Sequence, residues 1–171
     1  MSSTIGVENI SHTNGTVAAT ISSGGRVSMT GHVLQVVSTS YSTALNTQST
    51  TYVSTGMSLS ITPQSTSSKI LVRFNVPAYI NANTYHAYYT VFRGTVSGTN
   101  LATGSGTAMS EIFSVSGGEL LAHASGEILD SPSTASEVTY TVGFKVDTGS
   151  ALASAFRNNQ QGNLTLMEIG A

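Results

Sequence analysis

Residues 55–80 read T-G-M-S-L-S-I-T-P-Q-S-T-S-S-K-I-L-V-R-F-N-V-P-A-Y-I, and their alternation decides the fold class. Met57, Leu59 and Ile61 point one way and Ser58, Ser60 and Thr62 the other, the period-two signature of a half-buried strand. Ile70, Val72, Phe74, Val76 and Ala78 repeat the pattern, with Lys69, Leu71, Arg73 and Asn75 opposite them. Between the two runs, Pro63 and a cluster of Ser and Thr favour a turn. The stretch is expected to be a β-hairpin with one apolar face. A hairpin alone is marginal in water, so other strands must cover that face.

Working outward, such strands are easy to find. Residues 32–37 (H-V-L-Q-V-V) form one candidate, followed by a Ser/Thr-rich passage, 38–55, whose large apolar groups are Tyr41, Leu45, Tyr52 and Val53. That passage is too long for a tight turn and is expected to cross an edge or the top of the domain. Residues 85–93 (Y-H-A-Y-Y-T-V-F-R) carry bulk on both faces, as in a strand lying between two layers or at a subunit interface. Glycines 94, 98 and 104 punctuate a short strand at 100–102, and 109–115 and 120–129 are weaker candidates. The clearest alternation is Val138, Tyr140, Val142, Phe144 and Val146, expected at the centre of the core. Residues 164–169 (L-T-L-M-E-I) supply the last strand. Eight or nine strands at this spacing, with no helix-period segment, predict an all-β sandwich.

The chain of 171 residues is long enough to bury a real core. Only 8% of its residues are charged and its net charge is −2, against roughly 25% charged in an average protein. No basic patch is available to neutralise phosphates, so nucleic acid is not an expected partner. There is no cysteine, hence no disulfide framework or thiolate site. The N-terminus lacks the basic start and apolar core of a signal peptide, and no stretch approaches the ~20 apolar residues of a membrane span. Synthesis as a soluble chain, without membrane insertion, is the expectation.

Residues 1–31 differ in texture from the rest. Ile5, Val7 and Ile10 alternate briefly, then Asn14-Gly15 and Gly24-Gly25 interrupt the chain. A segment this poor in apolar groups cannot enclose a core, so it is expected to be an extended arm held by a partner through strand addition, with Ile5, Val7 and Ile10 as its anchors. The domain division is thus an arm, 1–31, and a sandwich, 32–171.

The ordered set H-V-L-Q-V-V (32–37), S-I-T-P-Q-S-T-S-S-K-I-L-V (60–72), Arg93-Gly94, S-P-S-T (131–134) ahead of V-T-Y-T-V, and L-T-L-M-E-I (164–169) resembles the C-terminal β-domain of virion fibre and decoration proteins of tailed bacteriophages, especially marine cyanophage types. The resemblance covers residues 32 onward. It implies a jelly-roll-like sandwich that assembles as a homotrimer on the particle surface, made in the host cytoplasm and attached to other virion proteins by a short N-terminal segment. That segment corresponds here to I-G-V-E-N-I-S (5–11).

The residues give little sign of catalysis. His12, His32, His86 and His123 are scattered without ligand spacing, whereas a zinc or iron site needs three or more convergent donors. The carboxylates Glu111, Glu119, Glu127, Asp130, Glu137, Asp147 and Glu168 form no motif, and neither a G-x-S-x-G elbow nor a phosphate loop is present. The expectation is a non-enzymatic protein with no cofactor and no metal. Two binding surfaces follow. Low charge and aromatics on both faces of 85–93 suit contacts between copies, with Tyr85, Tyr88 and Phe92 at the trimer interface. Tyr79, Asn81 and Asn83 at one turn, with Arg157 and Asn158 at another, could hold a host-surface glycan, the alternative role being that of a receptor-binding tip.

Overall fold

The computed structural model describes residues 6–21, 23–25, 27–81, 84–103, 108–115 and 118–170. Among them the chain forms strands β1 (Asn9–Ser11), β2 (Val17–Ile21), β3 (Val27–Ser28), β4 (Val33–Tyr41), β5 (Leu45–Thr47), β6 (Val53–Ile61), β7 (Lys69–Ile80) and β8 (His86–Arg93). Then follow β9 (Thr99–Asn100), β10 (Ser110–Phe113), β11 (Leu120–Asp130), β12 (Val138–Val146), β13 (Ala153–Ala155) and β14 (Gly162–Ile169), with a 3-10 turn at Arg157–Asn159 between the last two.

β6 and β7 both form where expected, and Met57, Ile61, Ile70, Val72, Phe74, Val76 and Ala78 are all buried. They are not, however, a hairpin. β6 lies in a sheet of order β10-β8-β12-β6, whereas β7 lies in a second sheet of order β4-β14-β7-β13-β5, flanked on its other side by β11. Residues 62–68 carry the chain from one layer to the other, so the two apolar faces meet across the interior instead of lying side by side. Their ladder partners come from elsewhere: β12 pairs with β6 and β14 with β7.

Counting β4, β6, β7, β8, β10, β11, β12 and β14 as strands one to eight, one sheet runs one-eight-three-six and the other two-seven-four-five. First pairs with eighth, second with seventh, third with sixth and fourth with fifth, all antiparallel. This nested pairing, rolled into two facing layers, is the jelly roll. The fold is a jelly-roll-like β-sandwich.

β12 sits between β8 and β6, and Tyr140, Val142, Phe144 and Val146 project into the core. Each such side chain contributes about 1.5–3 kcal/mol by leaving water. Polar pins join the layers. The Tyr89 hydroxyl, on β8, donates across the core to the carbonyl of Ser154 on β13 at 2.9 Å. Tyr140 donates to Asp130 Oδ2, at the end of β11, at 2.8 Å, and Arg93 Nη1 approaches the same oxygen at 3.4 Å. Glu168 follows Leu164 and Leu166 on the inward face of β14 and is fully buried, which would be costly without partners. Its two oxygens accept from Gln35 Nε2 at 2.6 Å and from the Gln64 backbone N–H at 2.7 Å, tying the 62–68 crossover to β4 and β14.

Candidate functional site

Residues 9–28 pair with one another: β1, β2 and β3 form a separate antiparallel three-stranded sheet in that order. Register places Ile10 opposite Ala19 and Ile21 opposite Val27, so Ile10, Val17, Ala19, Ile21 and Val27 share a face. Ala19 at its centre is buried and Ile21 half-buried, but the rest of the face is open. Ile10 is 53% exposed and Val17 and Val27 are each 50% exposed, and Val7 beside them is also exposed. Gly31 donates to Gly170 and Gly170 to His32, a short backbone ladder that joins this sheet to the end of the sandwich. Of the expected anchors, Val7 and Ile10 are thus at the surface, and Ile5 lies outside the described residues.

On the outer face of β8, the bulk that the sequence shows on both sides of the strand has two separate environments. Phe92 is only 4% exposed, because Tyr52 packs edge-on against it at 5.2 Å and Gly143 leaves room for its ring. A Cβ at position 143 would lie 2.8 Å from that ring. Phe92, expected between copies, is therefore covered within its own chain. Tyr88 stays half-buried, stacked on His86 at 5.9 Å, and Phe113 also stacks on His86, at 4.5 Å. Lys145 lies 5.4 Å over Tyr88 and 4.9 Å over Tyr52. His86 Nδ1 contacts Glu111, which β10 brings alongside, and burial, followed by the charges of Glu111 and Asp147, pushes the Tyr88 hydroxyl above its ordinary range. Tyr85 is half-buried against the core. The His86–Glu111 pair was hidden from sequence inspection, since only the β8–β10 register unites residues so far apart.

The residues expected to contact a glycan are mostly occupied by their own chain. Tyr79 is buried, its hydroxyl donates to Glu119 at 2.6 Å, and the Arg157 guanidinium covers its ring at 4.3 Å. Burial, reinforced by Glu119, raises its pKa. Asn81 Oδ1 accepts from the Leu152 backbone at 2.7 Å. Asn158 occupies a left-handed conformation in the 3-10 turn, with φ 57°. Asn83 lies outside the described residues. The structure does bring Tyr79 and Arg157 together, as a contact that holds the turn to the sheet.

No family model and no curated protein sequence matches the chain. Among solved structures it is similar to infectious bursal virus derived T=1 particles, with a TM-score of 0.41 and 10% identity over 85% of this chain and 38% of that one. It is also similar to the VP2 subviral particle of infectious bursal disease virus, with a TM-score of 0.40 and 9% identity over 85% of this chain and 40% of that one. A third similarity is to Bacillus endospore appendages, a family of disulfide-linked pili, with a TM-score of 0.30 and 12% identity over 80% and 90% of the two chains. The chain spans about two-fifths of the length of the viral capsid chains it matches. The structures named here are of viral capsid and pilus proteins rather than tailed-phage fibres.

Proposed function

We propose that this chain is a structural protein of a bacteriophage particle, a trimeric capsid decoration or short fibre protein attached through residues 1–31. One observation carries the reading. The sandwich closes its own core, whereas the small N-terminal sheet leaves Ile10, Val17 and Val27 about half exposed on one face. A three-stranded sheet with an open apolar face needs something to pack against, and exposed apolar patches mark contact surfaces. The role of the segment is then attachment, by face packing or by pairing at the edges of β1 and β3 instead of by a single extended strand. The jelly roll supplies a rigid body to be displayed, and the resemblance of 60–72 and 164–169 to phage decoration and fibre domains supports the particle surface as its location.

Deletion of residues 1–31 tests this. The truncated protein is expected to keep its sandwich, to migrate as three copies by mass photometry, and to lose co-sedimentation with particles. Truncated protein that still co-sediments with particles would sink the attachment role, and a monomer at micromolar concentration would sink the trimer.

A further inference from the structure

A cavity of about 500 Å³ opens on the outer face of the β4-β14-β7-β11 sheet, next to the Arg157–Asn159 turn. Its floor is set by strand register. Asn163 on β14 lies directly opposite Asn75 on β7, and in the next row Thr165 lies opposite Arg73. Met167 closes one end, and Gln161 forms a wall at the other. Gly162 lets the strands close up at this end: a Cβ there, pointing inward, would lie 2.5 Å from the Asn75 carbonyl and 2.7 Å from the Phe156 ring, so only glycine lets β14 start this close to β7.

The wall is held in advance of any ligand. Phe156, Asn158 and Asn159 all have φ near +57°, at 56°, 57° and 57°. For an aromatic residue this is a costly backbone state, sustained only where packing enforces it. Here the Phe156 ring is buried 5.0 Å from Tyr41, its N–H donates to the Pro77 carbonyl at 2.7 Å, Arg157 is clamped over Tyr79, and Asn159 Oδ1 accepts from the Ala44 N–H. The groups facing the cavity are less committed. The side chains of Gln161 and Asn163 form no hydrogen bond among the described residues, and Asn75 Oδ1 pairs with His123 Nδ1 at 2.9 Å, which leaves its NH₂ as a donor.

We infer that this cavity is a binding site for an uncharged sugar of one or two rings. Three carboxamides present paired donors and acceptors, the complement of adjacent sugar hydroxyls, beside the Thr165 hydroxyl, which is itself paired with Ser38 Oγ at 2.9 Å, and Met167 offers an apolar contact to the C–H face of a ring. Arg73 adds a donor, but Glu127 lies 3.8 Å from it on the neighbouring strand, so the site carries no net charge with which to select an acidic sugar. The volume falls within the range of about 300–1,000 Å³ for small-molecule sites, and the open mouth suits a weakly held, readily exchanged ligand. This assignment is independent of how the N-terminal sheet is used.

The test is saturation-transfer-difference and amide-shift NMR of the full chain with lactose, maltose, cellobiose and mannobiose, alongside oligogalacturonate as the acidic probe. At least one neutral disaccharide is expected to bind, shifting the side-chain amides of Gln161 and Asn163, while oligogalacturonate binds no better. Asn163→Ala should weaken that binding about tenfold without moving the thermal midpoint, roughly the effect of one lost hydrogen bond. Gln161→Ala, outside the sheet ladder, gives the same reading should the first variant fail to fold. Tyr88→Phe, on the other sheet, should leave binding unchanged. Silence from all four neutral sugars, a preference for oligogalacturonate, or binding indifferent to both amide variants overturns the assignment.

Discussion

In β12, alternate residues enter an interior filled from both layers. In β2, Val17, Ala19 and Ile21 alternate just as regularly, yet among the described residues of 6–31 only Ala19 is buried. The two regions differ in what faces them. β12 has Met57, Tyr89, Phe74 and Leu164 in the same core, whereas β2 has a single layer of two short neighbours. Alternation therefore creates a face that needs burial, and topology decides whether the chain supplies the cover itself. Where it does, the result is a closed body; where it does not, the result is a face left largely open to solvent.

The contrast can be broken most directly at Phe144. This ring is 1% exposed and packs 5.8 Å from Tyr89, so Phe144→Ala should lower unfolding free energy by about 3–5 kcal/mol in urea titrations. A smaller effect is set by pH. Burial holds the Tyr89 hydroxyl well above its ordinary ionisation range, and burial, with the Asp130 hydrogen bond second, does the same for Tyr140. The unfolded chain then ionises first, so their contribution is complete below pH ~10 and declines above it, by about 1.4 kcal/mol per pH unit for each ring. Urea midpoints measured from pH ~8 to ~11 should be level and then fall, with Tyr140→Phe softening the fall. Stability that stays level throughout would mean that these hydroxyls are solvated. The smallest effect belongs to the N-terminal sheet: Ile10→Ser should change stability by no more than about 0.5 kcal/mol while weakening association with particles. A loss comparable to that of Phe144→Ala would erase the distinction between the two regions.

The strands that decide the fold were legible where burial alternates cleanly. Ile70–Val72–Phe74 and Val138–Val146 fill the core as their spacing predicts, because side-chain direction is a local property of a strand. Partner choice is not local. β6 and β7 look like a hairpin since both bury one face, and the same pattern serves equally for strands on opposite sheets. The 62–68 connection is longer than the usual two to five residues of a hairpin loop, the one sign in the sequence that the chain was changing layers. β11 was faint for a different reason: between Leu120 and Ile128 its inward positions are the small Ala122, Ala124 and Gly126, while Leu121 and Leu129 face out, so the apolar contrast is blurred along eleven residues of real strand. β5 was concealed within a Ser/Thr-rich passage expected only to cross the domain. The same limit governs function: the cavity depends on Asn75 meeting Asn163 across β7 and β14, a juxtaposition that residue types alone do not reveal.

The nested pairing of the sandwich also sets an order of completion during synthesis. β8 and β10, in the middle of the chain, are joined by a short excursion, whereas β4 must wait for β14 at the far end. As the chain leaves the ribosome, the first strand of the roll has no partner until the last has been made, and contacts between such distant segments are intrinsically slow to form. β1, β2 and β3 are neighbours in sequence and have no such delay. The segment proposed to grip the particle is thus the first to have all its own strands available, and the body it carries is the last to close.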